Sequence, residues 1–244
     1  MEEKRVKQSE NVDLLQQSHL LDYNHPAMQN LIRERGWLSL QNRSELIGSV
    51  YTFVRDEIAY GYTKKFQIPA SVVLSKGYGN CLTKTTLLLA LLRAVDIPCQ
   101  LHGATISRVL FRGLIPRPYH KLIPKYFHHS WVEVQYDNTW LEMGGHIIDM
   151  PYLLKLQEKF PDYMGSFYGY GLAALHFKNP KIKWEGESTF IQKKAIEKDL
   201  GVFNTPDEFF TAFPEAEAFT HTFRYRALFR NNLNSTIMAI RRGK

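Results

Sequence analysis

Cysteine is scarce in this chain, which contains only Cys81 and Cys99 among its 244 residues. The two positions flank a predicted helix and the strand after it, so they occupy different points of one supersecondary unit. A disulfide between them is not expected, since bridged cysteines must bring their Cα atoms within about 7 Å. A chemical role as a free thiol stays open for one of them.

Long hydrophobic runs and targeting signals are also missing. No apolar stretch approaches the roughly 20 residues that span a bilayer, and the first residues, MEEKRVKQSENVD, contain neither an apolar signal core nor a cleavage site. We therefore expect no transmembrane segment and a cytoplasmic location. The net charge of +7 comes without a zinc, helix-turn-helix or RNA-binding signature, so a nucleic-acid function is not expected.

The chain does contain enough apolar sequence for a full core. Hydrophobic residues make up 44% of it, which predicts one domain over residues 1–244, with a core at about 44–150 and N-terminal helical and C-terminal extensions. Residues 1–18 are predicted to form a polar arm or loose helix. The basic tail, residues 223–242, is predicted to form an amphipathic helix that packs on its own domain, with binding to a membrane or a partner as the alternative.

The segment GYGNCLTKTTLLLALLRAVDIP places Cys81 between a glycine-rich turn and a strongly apolar helix. Asn80 is a candidate N-cap for that helix. Free backbone N–H groups and the positive end of the helix dipole favour a thiolate at this position, so a lowered pKa is predicted for Cys81. The alternative is that Cys81 is a small buried residue at a helix cap, the usual fate of a free cysteine.

Sequence after this helix predicts an antiparallel sheet. Residues 99–106 and 128–134 are predicted strands, and a two-residue turn at Asp137 and Asn138 leads into a third strand, residues 139–143. In the register set by this turn, Glu142 lies opposite Glu133 and His129 lies opposite His146.

Two further segments flank these strands. Ser44 is predicted to cap a helix that runs to about Ile58. Residues 108–127 contain three prolines among basic and aromatic residues, which predicts a long irregular excursion of the kind that forms binding loops or lids. A surface insertion without a role is the alternative.

Three runs of sequence, FVRDEIAYGY, ASVVLSKGYGNCLTKTTLLLALLRAVDIP and HSWVEVQYDNTWLE, together resemble the transglutaminase-like superfamily, a papain-like group of Cys-His-Asp enzymes. The resemblance covers residues 53–149. The sequences that flank this range also resemble uncharacterised bacterial members of the superfamily, though more weakly. It implies an α+β fold in which the buried Cys-bearing helix packs on an antiparallel sheet. It also implies a nucleophile at Cys81 and a base at His129, two residues before Trp131.

The third catalytic position is where this sequence departs from the family. Members usually carry an aspartate four residues after the hairpin tryptophan, and this chain has Gly144 there. Asp149 is predicted to fold back and orient His129 instead. The same aspartate is equally suited to cap the helix that begins at Met150, and both roles stay open.

Two other residues are weaker candidates for the same site. Glu142 is an alternative acid, but the predicted register places it about 13 Å along the strand from His129. His146 is a further candidate for the pocket.

These residues predict a cysteine-dependent amide or peptide-bond hydrolase that works through a thioester acyl-enzyme on a peptide or protein amide. No metal or organic cofactor is implied. Protein-glutamine transamidation is an alternative that differs only in whether an amine or water resolves the thioester, and the lack of calcium-site acid clusters favours hydrolysis. A non-catalytic binding module with a decayed triad is the other alternative, which Gly144 supports.

Overall fold

The structure is a computed structural model that describes residues 14–244. The N-terminal arm predicted for residues 1–18 therefore lies outside the described residues, apart from its last five positions.

The first half of the described chain is mainly helical. Helix α1 spans Pro26–Glu34 and α2 spans Arg43–Asp56, followed by strand β1 at Ala59–Tyr60, helix α3 at Ala70–Lys76, strand β2 at Tyr78–Gly79 and helix α4 at Cys81–Ala94. The predicted cap of α2 is wrong by two residues, because the Asn42 side chain, not Ser44, accepts the N–H of Glu45. Strands β1 and β2 pair in parallel and bring Tyr60 beside Gly79 at the start of α4.

The second half forms the sheet and its covering segments. It contains β3 at Cys99–Ser107, β4 at Tyr126–Tyr136, β5 at Thr139–Met143, α5 at Met150–Lys159, β6 at Phe167–Gly169, β7 at Leu172–Ala174, β8 at Ile196–Phe203, α6 at Pro206–Ala212, α7 at Glu215–Ala218, a π-helical turn at Tyr225–Phe229 and α8 at Arg230–Arg241. Four strands form an antiparallel sheet in the order β5-β4-β3-β8. The fold is therefore α+β, as predicted.

Helix α4 is buried on all sides, as its continuous apolar sequence predicts. Every residue from Leu82 to Arg93 is buried. Its Lys84 ammonium donates to the backbone oxygens of Arg55 (3.0 Å), in the last turn of α2, and of Ile58 (2.6 Å), just after that helix. Burial lowers the pKa of Lys84 to about 7, against the raising effect of Asp149.

The hairpin between β4 and β5 has the predicted two-residue turn. Asp137 and Asn138 both have positive φ, which matches the twist of the two strands. Glu133 lies opposite Glu142, as predicted. The expected pairing of His129 with His146 is wrong, because the ladder ends at Val132 and Met143, where the chain turns into a 3₁₀ segment.

The two faces of β4 have different surroundings, since successive side chains of a strand point to opposite faces. Val132 and Val134 belong to the main core together with the leucines of α4. By the same alternation, His128 and Ser130 share that face, whereas His129 and Trp131 lie on the other. The adjacent residues His128 and His129 therefore lie on opposite faces of the sheet, and of the two only His128 shares the face that packs on α4.

Irregular chain joins β3 to β4 at one end of this sheet. The segment 108–127 contains two short 3₁₀ stretches and contributes buried side chains to the core, including Phe111 and Ile115. Within residues 14–244, no helix has both the length and the apolar character that crossing a membrane requires.

The basic C-terminal helix packs on its own domain, as predicted. Leu233, Ile237 and Ile240 of α8 are buried in the core. At its last turn, the Arg241 guanidinium forms a bidentate ion pair with the fully buried carboxylate of Asp149 at the start of α5. Burial raises the pKa of Asp149, but Arg241 outweighs it, with help from Lys84 and the Tyr60 N–H, and holds the pKa below the ordinary value.

We expect Arg241→Ala to lower the free energy of unfolding by about 3 kcal/mol, because it leaves a buried carboxylate without its cation. Since the folded pKa of Asp149 is lowered, its contribution to stability is present above the ordinary value of 3.8 and is lost as the pH falls through the folded pKa. Denaturant unfolding at pH 7 and in acid measures both effects. The neighbouring Arg242 is exposed, so Arg242→Ala is the matched control, and an equal loss in both variants would contradict this account.

Candidate active site

Cys81 is the first residue of α4, and a hydrogen-bonded capping box formed by Asn80 and Thr83 begins that helix. The Asn80 side chain accepts the N–H of Thr83 (3.2 Å), and the Thr83 hydroxyl accepts the N–H of Asn80 (3.0 Å). This reciprocal pair fixes the direction in which the helix begins. The Cys81 side chain, partly exposed, borders a pocket.

The predicted lowering of the Cys81 pKa is wrong. Burial raises the pKa of the thiol to about 12, although the backbone N–H groups of Ser130, Leu82 and Cys81 itself act in the opposite direction. The helix start thus supplies the expected stabilisation of the thiolate, but the loss of water around the sulfur is the larger effect.

The start of α4 docks on a free stretch of the β4 edge. Because β5 pairs with β4 only from Val132 onward, the backbone of Ser130 has no partner from β5. Thr85, one turn after Cys81, donates its hydroxyl to the Ser130 carbonyl (3.1 Å), and the Ser130 N–H lies close enough to act on the Cys81 thiol. The nucleophile candidate therefore sits beside the residue that follows His129.

His129 is buried on the Trp131 face of the sheet. Its ring is 2% exposed and lies 5.7 Å from the Trp131 ring, between centroids. Burial lowers the pKa of His129 to about 3. Its Nδ1 atom has no hydrogen-bond partner among residues 14–244, so within that range nothing holds the imidazole through this nitrogen.

His128 is the histidine that lines the Cys81 pocket. Its ring lies 6.1 Å from that of Phe209 and 5.5 Å from that of Phe213, and its Nε2 atom is 3.5 Å from a Glu215 carboxylate oxygen. Burial lowers its pKa, against the effect of Glu215. Sequence analysis missed His128, although strand alternation would have shown that it and His129 point to opposite faces.

Asp149 occupies the capping position that the sequence left open. Its Oδ1 accepts the N–H of Tyr152 (2.9 Å) and its Oδ2 accepts the N–H of Tyr60 (2.7 Å), in addition to the two bonds from Arg241. Within residues 14–244, the hydrogen-bond partners of both carboxylate oxygens are thus backbone N–H groups and a guanidinium rather than an imidazole. Its role as the orienting acid stays a prediction, without a contact to His129 among the described hydrogen bonds.

Glu142 and His146 also have defined partners. Glu142 pairs with Lys193 (2.8 Å) and lines a cavity behind His129. His146 donates from Nδ1 to the Met143 carbonyl (2.5 Å), and its Nε2 lies 3.3 Å from the Thr85 hydroxyl. Burial lowers the pKa of His146 to about 3, so this ring is neutral beside the start of α4.

The pocket at Cys81 is strongly apolar. It encloses about 460 Å³, including the part open to solvent. Its lining comes from five regions: the loop after β1, the start of α4, the segment 108–127, strands β3 and β4, and the C-terminal helical turns. The apolar lining side chains are Phe66, Ile106, Phe111, Ile115, Ile123, Phe127, Phe219, Phe229 and Leu233. Tyr62, which sequence analysis did not single out, also lines this pocket, and its hydroxyl lies 2.8 Å from that of Tyr60.

A possible metal-binding group lies on the opposite sheet face, where ligand atoms of His102, Glu133 and Glu142 come within 4.8 Å of one another. His102 is already bonded to Glu133 (2.6 Å) and to Asp199 (3.0 Å), and Glu142 has its lysine. These side chains therefore satisfy one another as an ion-pair network, and their geometry does not require a cation.

Residues 34–144 match the family described as the transglutaminase-like superfamily. The match covers 111 of the 244 residues and identifies this core as transglutaminase-like. The match contains Cys81, His128 and His129, and it ends at Gly144. This match supports a cysteine-type enzyme at the level of the family.

One solved structure similar to this chain is that of a proposed cysteine protease from Cytophaga hutchinsonii. The two are 14% identical with a TM-score of 0.46, and the alignment covers 81% of this chain and 48% of the other. This chain thus spans about half the length of that protein. No curated protein matches the sequence.

We expect Cys81 to react slowly with iodoacetamide in the folded protein, because each unit of raised pKa lowers the thiolate fraction tenfold at a given pH. In a Cys99→Ala background, mass spectrometry should show alkylation at pH 8 at least about tenfold slower than in denaturant. The rate should keep rising with pH up to pH 10. A plateau near neutral pH would instead indicate a resting thiolate.

Proposed function

We propose that this protein is a cysteine-dependent amide hydrolase, peptidase-like, that forms a thioester acyl-enzyme at Cys81. The observation that carries the proposal is the position of Cys81, at the start of a buried helix and against the β4 backbone next to His129. A helix start offers backbone N–H groups to a developing oxyanion, and the adjacent strand offers an imidazole to take the thiol proton.

The first half of the reaction transfers the substrate acyl group to sulfur. His129 takes the Cys81 proton as the sulfur attacks the amide carbonyl carbon, and the carbonyl π electrons move to oxygen. The backbone N–H of Cys81 donates to this oxyanion. When the oxyanion collapses, the C–N bond breaks and the imidazolium gives its proton to the leaving amine.

The second half releases the acyl group. His129 removes a proton from water, the resulting nucleophile attacks the thioester carbonyl, and the C–S bond breaks. The thiolate regains a proton from the imidazolium, and a carboxylic acid leaves. Transamidation follows the same steps with an amine in place of water.

The resting site is neutral in this mechanism. Burial raises the pKa of Cys81 to about 12 and lowers that of His129 to about 3, so thiol and imidazole are both uncharged at pH 7. Proton transfer creates the thiolate and imidazolium together, and their mutual attraction offsets part of the cost of burying each charge. His129 thus acts as a general base during attack rather than as the partner of a preformed thiolate.

A binding module is the second candidate function. The raised pKa of Cys81 and the engagement of Asp149 by Arg241 favour it, because neither is what an exposed, acid-assisted thiol site needs. The two candidate functions differ in whether a covalent bond forms at Cys81. An enzyme accumulates or turns over an acyl group on this residue, and a binding module does not.

We expect Cys81→Ala to abolish amide or activated-ester hydrolysis while the protein stays folded, since the small side chain at the helix start contributes little packing. His129→Ala should lower kcat by about 10²–10⁴-fold, the usual contribution of a general base. His128→Ala distinguishes the two rings, because His128 lines the Cys81 pocket whereas His129 lies on the other sheet face. Stopped-flow hydrolysis and mass spectrometry of the acyl-enzyme measure these effects.

Two outcomes would change the assignment. If His128→Ala loses activity and His129→Ala keeps it, the ring that lines the Cys81 pocket is the base. If no acyl group can be trapped on Cys81 in wild type with any activated ester, the binding-module alternative holds.

We expect the substrate group next to the scissile carbonyl to be apolar, because the pocket at Cys81 is lined mainly by aromatic and aliphatic side chains. Peptidyl electrophiles with phenylalanine or leucine at that position should label Cys81 at least about tenfold faster than those with glutamate or lysine. Cys81→Ala controls for labelling elsewhere. Equal rates for the four probes would show that this pocket does not hold the substrate.

A further inference from the structure

A small cavity lies behind His129, on the face of the sheet away from the α4 core. His129, Trp131 and Gln192 all line it, together with Glu142 and Gly144. Three buried polar atoms of these residues have no hydrogen-bond partner within residues 14–244: Nδ1 of His129, Nε1 of Trp131 and Oε1 of Gln192. Unpaired buried polar atoms are rare in native proteins, and three around one cavity call for a physical explanation.

The orientation of the Gln192 amide is determined by its other end. Its nitrogen donates to the backbone carbonyl of Gly171, which can only accept, so the amide oxygen must be the atom left unpaired. The side chain is 4% exposed, and the Gln192 backbone carbonyl is also held by the N–H of Ala195. Gln192 therefore presents a fixed acceptor without a donor.

The cavity contains two side chains that can supply that donor. A neutral imidazole carries one N–H, and the Trp131 indole carries another. The indole is held by stacking on His102, with centroids 4.3 Å apart and planes 16° apart. The imidazole is the group whose N–H position matters for chemistry, because a base must keep the lone pair of its other nitrogen toward the thiol.

We propose that Gln192 is the positioning residue for His129, with its amide oxygen accepting the Nδ1 proton of the imidazole when substrate is bound. This rests on the proposed function of His129 as the base. Hydrogen bonds of this kind are commonly long or unmade before substrate binds and tighten in the complex. The Nδ1 tautomer leaves Nε2 unprotonated, as proton abstraction from Cys81 requires.

The assignment of Gln192 to this role is consistent with the lack, within residues 14–244, of an acidic side chain bonded to His129. Two positions could have supplied such an acid, Gly144 and Asp149. Gly144 lines the same cavity but has no side chain, and the carboxylate of Asp149 is bound to Arg241. A neutral amide can fix the tautomer of the ring as a carboxylate would. It supports the imidazolium less, however, which fits a site where burial already keeps His129 uncharged.

The decisive test compares Gln192→Leu with Gln192→Glu. Gln192→Leu should lower kcat at least about tenfold with little change in KM, since it removes the acceptor of the ring N–H. Gln192→Glu should retain activity and move the acidic limb of the pH–kcat/KM profile to higher pH, because a carboxylate raises the pKa of an adjacent imidazole. Unchanged kcat in the leucine variant, or an unmoved limb in the glutamate variant, overturns the proposal.

A matched control separates positioning from packing. Gln157 makes the same kind of anchoring bond, from its amide nitrogen to the Phe177 carbonyl (2.6 Å), away from the site. Gln157→Leu should cost similar stability and leave kcat unchanged. If it lowers kcat as much as Gln192→Leu, loss of stability explains both and the positioning role is overturned.

A rescue variant uses the empty position at Gly144. A Cβ atom added there would lie 3.4 Å from the Thr189 carbonyl oxygen and 3.8 Å from Trp131 Cβ, which are ordinary contacts. Gly144→Asp in the Gln192→Leu background should recover activity by returning an acceptor to the cavity. Failure to recover, in a folded double variant, counts against the shared cavity as the place where the ring is held.

A readout without turnover keeps this inference separate from the proposed function. In a Cys81→Ala background saturated with a phenylalanyl peptide amide, the ¹⁵N chemical shifts of the His129 ring report its tautomer. The ring should be protonated at Nδ1 when Gln192 is present, whereas Gln192→Leu should show a mixture. If the tautomer changes as expected but no acyl-enzyme forms, Gln192 positions the ring and the hydrolase proposal fails. If the acyl-enzyme forms and the tautomer is unaffected, the Gln192 proposal fails alone.

Discussion

The docking of helix α4 on the open edge of β4 is the contact on which the rest of the site depends. The bond from Thr85 to the Ser130 carbonyl can form only because β5 leaves the ladder after Val132. Because β5 ends there, the backbone of Ser130 is free to contact the start of α4. Cys81 therefore lies beside the residue that follows the buried His129. Because α4 is buried on all sides, neither partner of this contact can shift without disturbing the core.

Local features of the sequence were enough to predict the elements that carry the site. The capping turn before Cys81, the two-residue hairpin at Asp137 and Asn138, and the buried helix between them each follow from short-range rules. The resemblance to the superfamily placed these elements in one fold, and the family match over residues 34–144 confirms it. The catalytic roles of Cys81, His129 and Asp149 stay predictions.

Features that depend on distant parts of the chain could not be predicted in this way. The ion pair between Asp149 and Arg241 joins residues 92 positions apart, and nothing around either residue indicates the other. The pKa of Cys81 likewise has a local contribution that the sequence shows and a collective one, desolvation by the surrounding fold, that it does not. Where the local contribution and desolvation oppose each other, only the packed structure shows whether the pKa is raised or lowered.

The Arg241–Asp149 pair also connects the last helical turn to the wall of the Cys81 pocket. Asp149 holds the N–H of Tyr60, the Tyr60 hydroxyl is bonded to that of Tyr62, and Tyr62 lines the pocket. A charge near the carboxyl end of α8 is thus three hydrogen-bonded steps from Tyr62, which lies in the wall of the Cys81 pocket. The C-terminal helix is a structural support of the pocket at Cys81, and anything that pulls Arg241 away from the domain alters the shape of that pocket.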